Sequence, residues 1–169
     1  MTNKNMDNFE IDVSVQSGQW SSAHETLVQR AVQCVLQGLT YTIQSGEVSA
    51  VLADDNFVQA LNNEYRGKNK PTNVLSFPQN EPDEIEIQAQ SFLSLGDIIL
   101  AFETIEREAE EQNKSFNDHL MHLIIHGTLH LFGYDHIDDQ DAEKMEALEI
   151  KLLEKLGVKN PYETEKCVA

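Results

Sequence analysis

Basic residues are scarce in this chain: 12 Lys and Arg stand against 29 Asp and Glu, a formal net charge of −17. An acidic surface repels nucleic acid at long range, because phosphate binding depends on Lys and Arg. DNA is therefore not an expected partner, and any contact with RNA must rest on a local exception. Cysteine is scarcer still. Cys34 and Cys167 lie far apart, which excludes a disulfide framework and suits free thiols in a reducing compartment. No apolar run approaches the ~20 residues that a membrane span needs. Residues Met1 to Glu10 lack the basic start and apolar core of a signal peptide. The cytoplasm is the expected location, without membrane association.

What is present suits one globular domain. The 169 residues are 40% hydrophobic and 24% charged, too apolar for disorder and enough to bury a core. No internal repeat or low-complexity linker divides them. Phe9, Ile11, Val13 and Val15 alternate with polar residues, the period of a half-buried strand. Ser22 and Glu25 read as a capping box for a helix running to about Gly38. Gln44-Ser45-Gly46 reads as a turn and Val48 to Ala53 as a second strand. Asp54 or Asp55 caps a helix that Gly67 ends. Asn73 to Phe77 reads as a strand closed by Pro78, an acidic loop spans Gln79 to Ser91, and a fourth strand runs from Leu95 to Leu100. Helices over Glu103 to Gln112, Phe116 to Phe132 and Asp139 to Leu156 complete the chain. The expectation is an α+β domain over residues 9–162, a mixed four-stranded sheet packed with about five helices. Residues 1–8 form a flexible extension and 163–169 a tail.

The chemistry concentrates in His126-Gly127-Thr128-Leu129-His130-Leu131-Phe132-Gly133-Tyr134-Asp135-His136. Four residues apart on a helix, His126 and His130 differ by about 40° and lie one turn above the other. Two imidazoles so placed can hold one ion. Gly133 can take the left-handed conformation that stops a helix and lets the chain bring His136 back. Three neutral imidazoles with one coordination position left for water describe a catalytic zinc site, here with one zinc per chain. His122 continues the series, but His122 and His130 are about 12 Å apart along a straight helix, a poor geometry for one ion. His122 is either a neighbour of the site or a hydrogen-bonded core histidine; His119 has no assigned role.

The spacing His-x-x-x-His-x-x-Gly-x-x-His is shared with the metzincin metallopeptidases. Those enzymes place a glutamate, their general base, directly after the first histidine. Gly127 occupies that position and cannot take a proton, which weighs against peptidase chemistry.

A broader resemblance runs from about Ile11 to Tyr162. Asn63-Glu64-Tyr65-Arg66-Gly67, Pro71-Thr72-Asn73-Val74-Leu75-Ser76-Phe77-Pro78, Leu95-Gly96-Asp97-Ile98 and the histidine motif together resemble the YbeY family. The resemblance implies a single-strand-specific, zinc-dependent endoribonuclease. It implies roles in ribosomal RNA maturation, including the small-subunit 3′ end, and in ribosome quality control. His126, His130 and His136 match the family's metal ligands, and Arg66 its functional arginine; catalysis is thereby assigned to Arg66 and His126.

The residues admit such a substrate. Arg66-Gly67-Lys68-Asn69-Lys70 carries three positive charges in five residues. Arg66 can pair bidentately with phosphate, or simply end a helix where cations are welcome. Lys68 and Lys70 would hold flanking phosphates. Thr72, Asn73 and Ser76 either bond sugar and phosphate or finish the turn into a strand. Asp97 and Asp135 either orient a ligand histidine or cap local backbone. The expected partners are single-stranded RNA, an rRNA precursor, and the small ribosomal subunit or its basic proteins. Two other readings remain: a metallopeptidase, and an assembly factor whose zinc is mainly structural.

Overall fold

The computed structural model describes residues 8–39, 44–87, 92–135 and 137–163. The N-terminal extension up to Asp7, the tail from residue 164 with Cys167, and His136 lie outside the described residues.

Ten elements follow one another: β1 (Phe9–Val15), α1 (Ser22–Gly38), β2 (Ser45–Ala53), α2 (Asp55–Arg66), β3 (Val74–Pro78), α3 (Pro82–Ile87), β4 (Phe92–Ala101), α4 (Phe102–Glu111), α5 (Phe116–Leu131) and α6 (Asp139–Lys155). The sheet order is β1-β2-β4-β3. β1, β2 and β4 run parallel, and β3 is antiparallel on the β4 edge. This is the expected mixed sheet in an α+β domain, with one helix more than expected. The sixth, α3, stands in the acidic stretch read as loop: Pro82 opens it at a position where no N–H is needed, and Ile85 is fully buried.

Two starts also differ from expectation. α1 is capped by Ser21, not Ser22, and the partner three residues on is His24: its amide donates to Ser21 Oγ, and its Nδ1 accepts from the Ser21 amide at 3.0 Å. A ring nitrogen replaces the carboxylate that a capping box ordinarily uses. Gly46 lies within β2 rather than in a turn, and the position takes glycine because a Cβ there would stand 2.6 Å from the Leu93 carbonyl oxygen on β4.

α5 organises the core. Apolar on nearly every side, it buries Leu120, Ile124, Ile125, Leu129 and Leu131 among α1, α4, α6 and the sheet. α2 covers the opposite face of the β3–β4 edge, where Val58 meets Leu75, Ile99 and Ala101. The sheet thus carries α5 on one face and α2 on the other. Arg66 ends α2, and Gly67 stops the helix in the left-handed conformation, φ 67°, as expected.

Candidate active site

α5 sets the histidines. Ser115 caps it, and the 3.6-residue repeat puts His122, His126 and His130 in line along one flank. The Nε2 atoms of His126 and His130 are 3.0 Å apart, with the rings nearly perpendicular. Gly133, at φ 92°, ends the turn beyond α5 and packs directly against the Pro82 ring at the start of α3. The left-handed turn expected at Gly133 is thus present.

Gly127 sits where α5 presses on the sheet. A Cβ there would stand 3.1 Å from Ser76 Oγ and 3.2 Å from both Ile98 and Val74. A side chain such as the metzincin glutamate would be crowded at this position and would require these neighbours to shift. The Gly127 carbonyl accepts a hydrogen bond from Ser76 Oγ at 3.0 Å.

Arg66 reaches the same place from the other face. The Asn73 carbonyl accepts from the Ala101 amide, and alternation along β3 then turns the backbone groups of Val74, Ser76 and Pro78 away from β4. Arg66 Nη2 donates to the outward Ser76 carbonyl at 3.3 Å. The guanidinium thus covers the open edge and lines a cleft of about 770 Å³ together with His126, His130, Asn73 and Ser76. Glu81, Glu84 and Asp135 form acidic parts of its wall.

The other expected residues are distributed unevenly. Asn73 lines the cleft, but its amide donates to Glu108 Oε1 at 2.9 Å and its carbonyl oxygen accepts from the Val74 amide, so it also finishes the turn into β3. The Ser76 hydroxyl is engaged with α5. Lys68 and Lys70 stand outside the cleft lining, on a loop tied back to α2 by the buried Asn62, whose amide donates to the Lys70 carbonyl at 2.9 Å. Asp97 shares the α2 face of β4 with Ile99 and Ala101, two and four residues on, so the sheet stands between it and His126 and His130. The alternation that decides this is invisible in the sequence, because β4 is apolar on both faces.

One residue at the site was not anticipated. Glu149, on α6, is completely buried. Its Oε1 accepts from Tyr162 Oη at 2.8 Å and His122 Nε2 at 2.7 Å, and stands 3.3 Å from His126 Nδ1. Burial alone would raise its pKa; the hydrogen bonds from His122 and His126 outweigh burial and hold it at about 2. Burial pushes His122 below the ordinary imidazole value and Tyr162 above the ordinary phenol value. A signal did exist: Met145, Glu149, Leu152 and Leu153 form the buried stripe of α6, and an acid on an apolar stripe needs a partner. His119, buried likewise, donates from Nε2 to Glu108 Oε1 at 2.9 Å.

The donor set suits a cation. Two ligands of a tetrahedral zinc ion stand about 3.3 Å apart, close to the observed separation of the two Nε2 atoms, and a carboxylate backs one of the rings. Among the described residues no group of three metal-ligating side chains comes together, and His136 is outside them.

Comparison with known proteins agrees with this architecture. A family model described as Endoribonuclease YbeY matches residues 10–157. The chain belongs to the YbeY family. It is 43% identical to the endoribonuclease YbeY of Bradyrhizobium diazoefficiens, over 96% of this chain and 88% of that protein. Against its Parvibaculum lavamentivorans counterpart the identity is 47%, over 91% and 85%. The solution structure of TM1509 from Thermotoga maritima superposes with a TM-score of 0.60 at 29% identity, covering 86% of this chain and 88% of that one. Among the described residues no helix is long and apolar enough to cross a membrane.

Proposed function

We propose that this YbeY-family chain is a single-strand-specific, metal-dependent endoribonuclease acting in ribosomal RNA processing, including the small-subunit 3′ end, and in ribosome quality control. The observation that carries this reading is the convergence of Arg66 with the Nε2 pair of His126 and His130 on one cleft. His126, His130 and His136 would hold one zinc per chain. When bound, the ion supplies Lewis-acid charge beside the scissile phosphate and acidifies the attacking water.

The protein's own part is positioning. Arg66 places a forked, permanently charged donor over the phosphate, and its bond to the Ser76 carbonyl fixes it at the edge of the cleft. Asn73 and Ser76 shape the floor beside it; Lys68 and Lys70 hold phosphates flanking the cleft. Arg66 is the cationic side chain among the cleft's lining residues, which include Glu81, Glu84 and Asp135, so a phosphate chain is drawn to its side. A flexible single strand can follow that side, whereas a rigid duplex presents two phosphate rows. The acidic surface suits the basic proteins of the small ribosomal subunit, and the cytoplasm is where they meet.

Peptidase chemistry is disfavoured on two counts. Gly127 carries no group that can take a proton and stands where even a Cβ would be crowded, and Arg66 already occupies an outward carbonyl on the edge strand that an extended peptide would pair with.

The test is incubation of zinc-loaded, nuclease-free protein with single-stranded and duplex RNA of the same sequence. Internal cleavage of the single strand, absent from His126→Ala and abolished by chelation, is expected. Equal cleavage by His126→Ala overturns the reading.

A further inference from the structure

Behind the two histidines lies a buried charge for which RNA chemistry has no direct use. Among the described residues the hydrogen-bond partners of Glu149 are two imidazoles and a phenol, with no Lys or Arg. All three meet one oxygen, and among the described residues the other, Oε2, is buried without a hydrogen-bond partner. A desolvated carboxylate with no permanently charged partner is poorly compensated. A cation close by would compensate it.

We infer that Glu149 is the positioning residue of the metal site: it holds His126 in the Nδ1–H form and backs the ion with the negative charge that neutral imidazoles lack. The inference rests on the metal reading of the histidines given above. A carboxylate oxygen can only accept here, so the His126 Nδ1 facing it must carry the proton. The ring's lone pair is then on Nε2, the atom directed at His130 Nε2. The same carboxylate accepts from His122 Nε2, which explains why the histidine in line with the pair is a support rather than a ligand. Tyr162, arriving from beyond α6, donates to the same oxygen and fixes the carboxylate in place. Three elements thus converge on His126: α5 carries it, α6 supplies the charge, and the segment after α6 clamps that charge.

The experiment measures zinc affinity by competition with a chromophoric chelator, with zinc alone as probe and no RNA present. Glu149→Gln keeps the shape and removes the charge, and its affinity is expected to fall by about 10- to 100-fold. Tyr162→Phe removes a donor but leaves the charge, and is expected to stay within about threefold of wild type. Wild-type affinity in a folded Glu149→Gln protein overturns the inference, and so does an equal loss in both variants, which would mark a packing effect. A second measurement needs no variant. Long-range ¹H–¹⁵N correlation spectra of the metal-free wild type at mildly alkaline pH should show His126 protonated on Nδ1; protonation on Nε2 overturns the assignment. Failure of the wild type to bind zinc would instead overturn the metal reading, with the tautomer still deciding what Glu149 does.

Discussion

Ser76 Oγ donates to the Gly127 carbonyl at 3.0 Å, joining edge strand β3 to the helix that carries the histidines. The bond is buried, and its acceptor lies on the residue between His126 and the next turn. Ser76→Ala leaves a buried carbonyl with one partner fewer and should cost about 1–3 kcal/mol. Chemical denaturation of the metal-free protein checks this, and a change below about 0.5 kcal/mol would show that the contact contributes nothing.

Gly127→Glu supplies the group that metzincins use, but in this fold it should destroy rather than create function. The carboxylate would enter a contact with Ser76, Ile98 and Val74 that a Cβ alone already crowds. A loss of about 3 kcal/mol or more is expected from overpacking and a buried charge together. A Gly127→Glu protein with native stability and new peptidase activity would overturn the packing account.

Arg66→Ala should keep the fold and the zinc while losing about 10²–10³ in cleavage rate, the usual effect of removing one charged transition-state donor. Arg66→Lys should recover only part, because a point charge cannot make the two-pronged contact. Kinetics below saturation distinguish these outcomes; unchanged kcat/KM in Arg66→Ala removes the residue from the reaction. Lys68→Ala and Lys70→Ala should instead weaken RNA binding modestly and flatten its salt dependence.

Metal removal should affect binding as well as cleavage. The cleft is lined by Glu81, Glu84 and Asp135 besides Arg66, so without an ion its local charge is negative. RNA affinity measured by anisotropy should drop on chelation and return with zinc. Within the histidine series, His130→Ala should lose zinc, whereas His122→Ala should retain it stoichiometrically; elemental analysis reads both.

Acid should act through Glu108. Burial alone would raise its carboxyl pKa, but hydrogen bonds from His119 and Asn73 outweigh burial and hold it below the usual range. A depressed folded-state pKa contributes stability above the unfolded value of about 4.3, which is lost as the pH falls below it. Glu108→Gln should therefore be less stable than wild type at pH 7, with the difference shrinking between about pH 5 and 3. Thermal melts across that range test the sign; a constant difference refutes it.

Local rules made much of the fold readable. The spacing of His126 and His130 dictates that they meet, Gly67 and Gly133 stop their helices where left-handed backbone is required, and the alternation of β1 marks its strand. The remainder depended on partners distant in sequence. Glu149 stands in an acidic run, and although it shares a helical stripe with Met145, Leu152 and Leu153, its partners on α5 and at Tyr162 become evident only once α6 is packed. Asp97 lies one residue from Ile98, which touches Gly127, and that single step sends it to the other face. Gly46 resembles a turn glycine because the strand that crowds it, β4, begins more than forty residues later.

Gly133 rests on the ring of Pro82 in a conformation other residues rarely adopt. The exit of the histidine helix and the entrance of α3 are consequently one mechanical joint, pinned further by the buried Ile85. A substitution that displaces either Gly133 or Pro82 therefore moves the other, and with it the path by which the chain leaves the histidine helix. Glu81 and Glu84 flank that joint, so the acidic residues of the cleft are carried by the same contact that ends the histidine helix.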